Sequence, residues 1–304
     1  MSALSDQLLV ATILTYLVAM VCYASEYTLD RVRASAAVGG APGATDTVVE
    51  RRPVGELAGR AAVVATLVGA AVHLATLVTR GIAAGRVPWG NMYEFVLAVT
   101  FVGSLAWLVL VYRRPAVRRL GLYVTLTLML LLGVAGMVLY TAVSPLVPAL
   151  NSYWLVIHVT AAVLATGIFL VGFVTAAMYL IRAGYERGQR RFPYDLGRRL
   201  PGADLLEPLT FRLHTVAFPI WTFAVAAGAI WAEAAWGRYW GWDPKEIWAF
   251  ISWVVYAGYL HARATSSVKR TVATWIAVIG WLTMLMNLFG VNIFFVGFHS
   301  YAGV

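Results

Sequence analysis

Tryptophan has the most unusual distribution of any chemistry-bearing residue type in this chain. Five of its 12 tryptophans, Trp236, Trp240, Trp242, Trp248 and Trp253, fall within 18 residues. Residues 236–248, which hold four of them and two glycines, are called the tryptophan segment below. Indole rings on a short loop offer a stacking surface to a planar apolar ligand. An aromatic belt at the membrane surface is the alternative, but a belt needs only scattered tryptophans at helix ends.

Two of the five histidines could supply iron ligands beside the tryptophan segment. His158 lies four residues after Trp154, and His299 lies near the end of the sequence. Two imidazoles, one on each face of a planar haem, are the axial ligands that a six-coordinate iron needs. Taken singly, His158 reads as a buried hydrogen-bonded histidine and His299 as part of a loose tail. Together with the tryptophans, they indicate a haem site.

His261 requires a different interpretation, because it lies 13 residues after Trp248. At about 1.5 Å per helical residue, this places it roughly 20 Å deeper along the same helix. It could bind a second haem within the membrane or simply bond a neighbouring carbonyl. His214 is expected at the inner end of its span, where a polar residue costs little. His73 falls in the outer half of the second span, without an assigned role.

The acidic residues of the tryptophan segment have a structural interpretation. Asp243-Pro-Lys-Glu246 fits the N-cap, N1, N2 and N3 positions of a helix, with Glu246 closing a capping box. Asn91-Met-Tyr-Glu94 fits the same pattern. We therefore expect Asp243 and Glu246 to start a helix and to fix the geometry of the tryptophan segment, and not to act as catalytic acids.

The composition places all of these residues in a membrane protein. The chain has 304 residues, of which 61% are hydrophobic and 12% are charged, whereas a soluble domain is about half apolar and about a quarter charged. Runs of about 20 apolar residues can cross a bilayer as helices. We predict an all-α integral membrane protein with about eight transmembrane helices, near residues 8–23, 57–78, 93–112, 120–142, 154–181, 213–235, 247–260 and 271–295. No signal peptide is evident, so the first run is expected to remain as a helix.

The charge distribution gives these spans a direction. Of the 23 basic residues, 19 lie in four alternate connections, which hold five, four, seven and three of them. The opposite side has Arg80, Arg86, Arg238 and Lys245. The positive-inside rule then puts both termini and the tryptophan segment on the outer face. It also explains the net charge of +9 without nucleic acid.

The remaining sequence excludes several classes of protein. The single cysteine, Cys22, allows no internal disulfide, thiol relay or covalent haem attachment site. Histidines at zinc-ligand spacing, a P-loop, a dinucleotide fingerprint and a nucleophile elbow are all missing from the sequence. Residues 1–304 read as a single polytopic membrane domain, with cytoplasmic links at 34–48, expected to be mobile, and at 182–212, expected to be interfacial.

The tryptophan segment, with its pattern Trp236-Gly-x-x-Trp240-x-Trp242-Asp243-x-Lys-Glu246, resembles the signature of the tryptophan-rich (WWD) haem-handling proteins of cytochrome c assembly. Three further stretches are similar to the system II members of the CcsA/ResC type. They are Pro88-Trp-Gly-Asn91-Met-Tyr-Glu94, Tyr-Leu-His261-Ala-Arg, and Val291-Asn-x-Phe followed by Gly297-x-His299-Ser-Tyr. The resemblance covers the chain from about residue 80 onward, in the expected order.

This resemblance implies roles for particular residues. The tryptophan segment would hold haem b at the outer surface, with His158 and His299 at the positions of the axial ligands. His261 resembles the ligand of a second, intramembrane haem, whose other ligand would come from a membrane partner of the CcsB/ResB type. Where family members often have a histidine before the Pro-x-x-Asn stretch, this chain has Arg86.

We therefore predict a haem-handling subunit of the system II cytochrome c synthase, in the cytoplasmic membrane of a bacterium. It would carry haem b to the outer face and present it to the Cys-x-x-Cys-His segment of reduced apocytochrome c for thioether attachment. The thiol-reducing pathway would be an indirect partner. Trp236, Trp240, Trp242, Asp243 and Trp248 would form the site, and Arg238 and Lys245 would be candidate partners of the haem propionates. No catalytic residue is assigned beyond haem presentation.

Two other functions remain open on the sequence. A haem exporter would release haem without needing apocytochrome thiols. A membrane cytochrome b would pass electrons between two haems, although such proteins usually place their histidines in pairs on facing spans. A structural subunit with an aromatic belt is the third and least specific interpretation.

Overall fold

The computed structural model describes residues 1–38, 54–144, 146, 151–295 and 297, and the side chains of these except at 29–38. All of the regular secondary structure in the described part is helical. Its α-helices are α1 Ser2–Val38, α2 Val54–Ala84, α3 Met92–Arg113, α4 Gly121–Met137, α5 Tyr153–Glu186, α6 Ala203–Trp236, α7 Pro244–Ala264, α8 Arg270–Leu285 and α9 Val291–Phe294. Short 3-10 helices cover Pro115–Leu120 and Tyr194–Arg199, and a π-helical turn covers Met286–Gly290.

The prediction of an all-α membrane protein is confirmed. Within the described ranges, seven helical segments are long and apolar enough to cross a bilayer: Ser2–Thr28, Val54–Ala84, Met92–Arg113, Pro115–Met137, Tyr153–Glu186, Ala203–Trp236 and Arg270–Phe294. The predicted seventh span, 247–260, lies in α7, which is not among them. The 21 residues of α7 correspond to about 30 Å of helix, so its length suffices although its polar residues lower its hydropathy.

One end of the bundle, called the tryptophan end below, collects alternate helix termini. Tyr140, just after α4, donates a 3.0 Å hydrogen bond to Asp6 near the start of α1. Arg80 near the end of α2 donates to Glu94 near the start of α3 at 3.0 Å. Lys245, at the start of α7, donates to the carbonyl of Asn287 beyond α8 at 2.9 Å. The long helices therefore alternate in direction.

The opposite end, called the arginine end below, is held by ion pairs between helices. Arg118 and Glu26 are 2.6 Å apart and tie the start of the fourth span to α1. Arg263 donates to Glu207 at 3.0 Å and ties the end of α7 to the start of α6. Because α7 contacts its neighbours at both ends, it runs the full length of the bundle. The outer position of the tryptophan end stays a prediction.

Helices α1 and α2 pack closely because small and hydroxyl residues meet along their interface. A Cβ at Gly69 would lie 2.8 Å from the ring of Tyr16, so only glycine fits there. The hydroxyls of Thr12 and Thr76 are 3.2 Å apart. Such small residues and interhelical hydrogen bonds are typical of helix association in membranes.

The helices extend further than the apolar runs predicted. About half of the predicted 182–212 link is α-helical, since α5 continues to Glu186 and α6 begins at Ala203, which leaves 187–202 between them. Charged residues such as Arg182 and Glu207 can extend a helix beyond its apolar run without breaking it. The eighth predicted span is interrupted by the π-helical turn. Residues 34–38 of the predicted 34–48 link continue α1, and the rest lies outside the described residues.

Candidate functional site

A cavity opens at the tryptophan end, among α3, α5, α6, α7 and α8. The empty space within it, including its opening to the solvent, measures about 1190 Å³. Its wall is dominated by aromatic and small apolar side chains. The aromatic and histidine residues that line it are Trp89, Phe95, His158, Trp221, Trp231, Trp236, Tyr239 and Trp240. The cavity is deep, because Trp221 lies 15 residues before Trp236 on α6, or roughly 22 Å along the helix.

His158 enters the cavity wall from α5 and is held by α6. Its Nδ1 lies 2.8 Å from the carbonyl oxygen of Ala224, and its ring stacks on Trp231 with an angle of 8° between the planes. A carbonyl oxygen can only accept, so Nδ1 carries the proton and the neutral ring has its lone pair on Nε2. A Cβ at Gly228 would lie 2.7 Å from the imidazole. The glycine therefore makes room for a histidine in the tautomer that binds metal through Nε2.

The tryptophan segment contributes to the cavity with part of its indoles. Trp236 and Trp240 line the cavity. Trp242 does not; it is 65% exposed, and its positive φ of 57° turns it away from the helix that follows. The rings of Trp240 and Trp242 meet edge to face at 89°. The sequence suggested a flat stacking surface, whereas the structure shows indole edges and faces around a cleft, because successive residues of a tight loop point in different directions.

The predicted start of α7 is confirmed. Asp243 caps the helix, Pro244 occupies its first turn, and Glu246 completes a capping box. The Oε2 of Glu246 accepts hydrogen bonds from the backbone N–H groups of Gly241 at 2.8 Å and Asp243 at 3.0 Å. A Cβ at Gly241 would overlap the guanidinium of Arg238. One carboxylate therefore fixes the backbone of the tryptophan segment, as expected for a positioning residue.

A polar corner of the cavity forms where α3, α7 and the π-helical turn meet. The Nζ of Lys245 donates to the carbonyl of Asn287 at 2.9 Å and lies 3.8 Å from the sulfur of Met92. Burial lowers the pKa of Lys245, which precedes the apolar part of α7, to about 7, and the nearby Asp243 opposes this shift. The Oδ1 of Asn287 is buried and makes no hydrogen bond to the described residues. This corner therefore combines an amine with an acceptor that has no partner among the described residues.

The opposite wall is built around a buried carboxylate. Asn91 caps α3 as predicted, accepting from the N–H of Glu94 at 2.9 Å. The side chain of Glu94 does not close a capping box with Asn91. It instead pairs with Arg80 at 3.0 Å and with Arg86 at 2.6 Å. It also accepts a 2.8 Å hydrogen bond from the backbone N–H of Gly90. Glu94 is fully buried. Two arginines thus lock the loop that carries Trp89 into the cavity wall.

Some predicted site residues lie elsewhere. His261 is exposed on the outside of α7, and Trp248 is partly buried outside the cavity lining. His299 lies outside the described residues. Gly297, two residues before it, lies against the first turn of α7, since a Cβ there would be 2.5 Å from a carboxylate oxygen of Asp243.

The other two histidines are deep in the bundle. His73 is fully buried between Tyr16 and Phe101 and does not line the cavity. His214 is also buried, and its Nδ1 donates to the carbonyl of Thr210 at 2.8 Å. This agrees with a structural role, while its position at the inner end of the span stays a prediction.

Sequence reasoning missed several cavity residues. Trp221 and Trp231 lie within an apolar run, where an indole resembles any other core side chain. Asn287 was not identified, because hydropathy does not predict the π-helical turn that positions it. The signal that could have found them is the presence of Gly228 and Trp231 shortly before Trp236, which leads into the tryptophan segment.

Known proteins with similar sequences match most of this chain. The family described as Cytochrome C assembly protein matches residues 89–299. A relative from Guillardia theta named Cytochrome c biogenesis protein CcsA is 32% identical over 239 residues, 73% of this chain and 79% of the relative. Proteins of the same name from Cyanophora paradoxa and from Prochlorococcus marinus (strain NATL2A) are both 32% identical over 74% of this chain, and the matches cover 82% and 79% of those relatives.

Proposed function

The chain belongs to the cytochrome c assembly family as a CcsA-type multi-pass membrane protein with a role in cytochrome c biogenesis. From that membership, we propose that it is the haem-handling subunit of a system II cytochrome c synthase. The observation that carries the proposal is His158, which is held in one tautomer by Ala224 within a cavity lined by tryptophans.

The cavity suits haem in shape and chemistry. Its apolar walls match the porphyrin, and indole rings pack well on a planar aromatic ligand. The fixed tautomer of His158 supplies one iron ligand through Nε2. His299 is the proposed second ligand, and Gly297, two residues before it, lies against Asp243 at the start of α7. These two histidines are the proposed axial ligands of the outer haem.

The propionates of haem need cationic or donor groups. Lys245 lines the cavity, and in the described part of the chain no carboxylate lies within ion-pair distance of its amine. A buried amine gains most from an opposite charge brought by the ligand. Arg238, whose guanidinium lies against Gly241 in the tryptophan segment, is the second proposed partner.

His261 is the proposed ligand of a second haem within the membrane. An exposed histidine within an apolar helix is costly unless a partner covers it. A membrane protein of the CcsB/ResB type would contribute the other ligand at this surface. We place the tryptophan end outside and both termini with it, in the cytoplasmic membrane of a bacterium.

The reaction itself needs little from the protein beyond positioning. Reduced apocytochrome c brings the two thiols and the histidine of its Cys-x-x-Cys-His segment, and this histidine replaces one of the two axial ligands. Each S–H bond then adds across a vinyl C=C bond of haem, with sulfur on one carbon and hydrogen on the other. The addition consumes no net electrons. The chain contributes orientation and proximity, which can account for most of the rate gain in such reactions.

The deciding measurement is an absorption spectrum of the purified chain, oxidised and reduced, followed by acid-acetone extraction. A low-spin b-type spectrum with extractable haem supports the proposal. Colourless protein, both alone and with its membrane partner, would overturn it.

A second assay separates the proposed function from its alternatives. Haem-loaded protein is mixed with apocytochrome c whose thiols are either reduced or alkylated. A synthase releases haem only to the reduced substrate, whereas an exporter releases it to both. A cytochrome b retains its haem with both and cycles between its redox states.

A further inference from the structure

Helices α6 and α7 are joined by a series of side-chain contacts that stops at the middle of the bundle. From the arginine end, the series runs through Glu207–Arg263, His214–Tyr259, Phe218–Trp253 and Thr222–Trp253. The last member is a hydrogen bond of 2.9 Å from the indole Nε1 of Trp253 to the hydroxyl of Thr222. It lies on the outer surface of the bundle, where Thr222 is exposed.

This hydrogen bond lies at the level where the cavity begins. Thr222 follows Trp221, which lines the deep part of the cavity, and Trp253 lies one turn after Ala249, which also lines it. Towards the tryptophan end, both helices line the cavity. The small residues of this wall are Gly228, Ala229 and Ala232 on α6 and Ala249 on α7, and they lie beside the larger Val225, Trp231 and Trp236. Trp253 bridges the seam between the two helices at one edge of this wall.

A series of aromatic rings follows the outside of this seam. Trp253 stacks on Phe250 at 6.1 Å with an angle of 9°, and Phe250 meets Trp240 at 6.5 Å. Trp240 lines the cavity, whereas Phe250 is 42% exposed on the bundle surface. The rings therefore connect the lipid-facing surface at mid-depth to the cavity mouth.

The exposed face of α7 continues this series towards the arginine end. Phe250, Val254 and His261 are spaced by four and seven residues, so they share one face of the helix, and all three are exposed. His261 lies eight residues beyond Trp253, or about 12 Å along the helix. A planar apolar molecule in the bilayer would meet an apolar face with His261 at one end and the rings of Phe250 and Trp253 at the seam.

From this geometry we propose that the seam between α6 and α7 is a lateral portal, through which the planar ligand passes from the bilayer into the cavity, and that the Trp253–Thr222 hydrogen bond is its latch. The inference rests on the proposed function, since haem is the ligand that the portal admits. Haem is apolar over most of its surface and concentrates in the bilayer, so a lateral route avoids water. Opening requires the loss of one interhelical hydrogen bond and the rotation of one indole, while the contacts nearer the arginine end keep the helices together.

The test fixes the portal shut and then releases it. In a Cys22→Ser background, Thr222→Cys and Trp253→Cys are joined with a short bifunctional thiol reagent that contains a reducible disulfide. The control pair is Thr12→Cys and Thr76→Cys, whose hydroxyls are 3.2 Å apart between α1 and α2, away from the cavity. The full-length protein in liposomes then receives haem through the lipid. Loading of the cavity is measured as low-spin haem absorption. The part that belongs to the cavity is the part that disappears when His158→Ala is added to the same variant.

A lateral portal predicts that cross-linking slows loading at least tenfold for the Thr222/Trp253 pair and leaves the Thr12/Thr76 pair unchanged. Reversal with a phosphine restores the rate. As a control for the loss of the indole, the Thr222/Trp253 cysteine pair is left without a cross-link and each cysteine is alkylated separately with N-ethylmaleimide. As an independent variant, Trp253→Phe keeps a ring but removes the N–H donor, and should speed both loading and loss of haem several-fold.

Two other outcomes would overturn the inference in distinguishable ways. If the cross-linked protein loads its cavity as fast as the control, the portal is wrong while the proposed function stands. If neither the variants nor the unmodified protein bind haem in any condition, the proposed function fails and the portal fails with it.

Discussion

The Nδ1 of His158 donates a 2.8 Å hydrogen bond to the carbonyl oxygen of Ala224, so the backbone of α6 determines which ring nitrogen of an α5 histidine carries the proton. Gly228, one turn further along α6, leaves the space that the same imidazole fills. Two helices therefore prepare a histidine at a cavity wall, before any ligand is present. The cost of orienting a ligand group is met during folding, which favours binding.

His158→Ala should abolish the low-spin spectrum of the outer haem. The substitution removes an axial ligand, so we expect a shift to high-spin absorption and at least a tenfold loss of affinity, measured by haem titration in detergent. His299→Ala should act in the same way. His261→Ala provides the comparison, because His261 lies outside the cavity and the outer haem should keep its spectrum. An unchanged low-spin spectrum in His158→Ala would contradict the ligand assignment.

Gly228→Ala tests the position of His158 without touching its chemistry. The new Cβ would lie 2.7 Å from the imidazole, so the ring must move and haem affinity should fall about tenfold. Gly258→Ala is the matched control, because a Cβ at Gly258 on α7 meets nothing within 4 Å. On helix propensity alone, the control should be neutral or stabilise by up to about 1 kcal/mol. Equal haem affinities in the two variants would refute the steric argument.

Glu94→Gln should destabilise the protein, because it leaves Arg80 and Arg86 without their shared carboxylate in a buried site. Removing one partner of a buried ion pair costs about 3–5 kcal/mol. The matched control is Glu56→Gln, whose pair with Arg60 is partly exposed and is worth about 1 kcal/mol or less. Thermal unfolding in detergent compares the two, and equal midpoints would show that the Glu94 cluster contributes no more than a surface pair.

Lys245 should make the binding of haem carboxylates depend on pH. Its amine has a pKa of about 7 in the free protein, and a bound propionate would raise that pKa. Haem affinity should therefore be constant below pH 7 and fall above it, because binding then requires uptake of a proton. Asp243 is the charged group that acts on the amine, while Met92 and Asn287, its neighbours from other elements, carry no charge.

The comparison ligand for this prediction is haem dimethyl ester, which has no carboxylates. Its affinity should lack the decline above pH 7, and Lys245→Met should remove the decline for haem itself. The same decline for both ligands, or its persistence in Lys245→Met, would exclude Lys245 as the propionate partner.

Much of the fold could be predicted from the sequence because a bilayer imposes simple rules. Each span must be a helix and must be apolar over about 20 residues, so composition alone located every long helix of the described structure. Helix starts were also predictable, since the caps at Asn91 and Asp243 depend on local residues. The cytoplasmic limits predicted for α5 and α6 were less accurate, because both helices continue beyond their apolar runs through polar and charged residues.

The sequence by itself determined the membrane class, the family resemblance, and the neighbourhood of the tryptophan segment, because these depend on local composition and spacing. Only the tertiary structure decided which indoles line the cavity, that Glu94 serves two arginines, and that His214 is buried. It also decided that Trp253 bridges α6 and α7. These relationships join residues far apart in the chain. They depend on the rotation and the axial position of each helix relative to its neighbours. The hydrophobic pattern does not determine either quantity in helices that are apolar on every side.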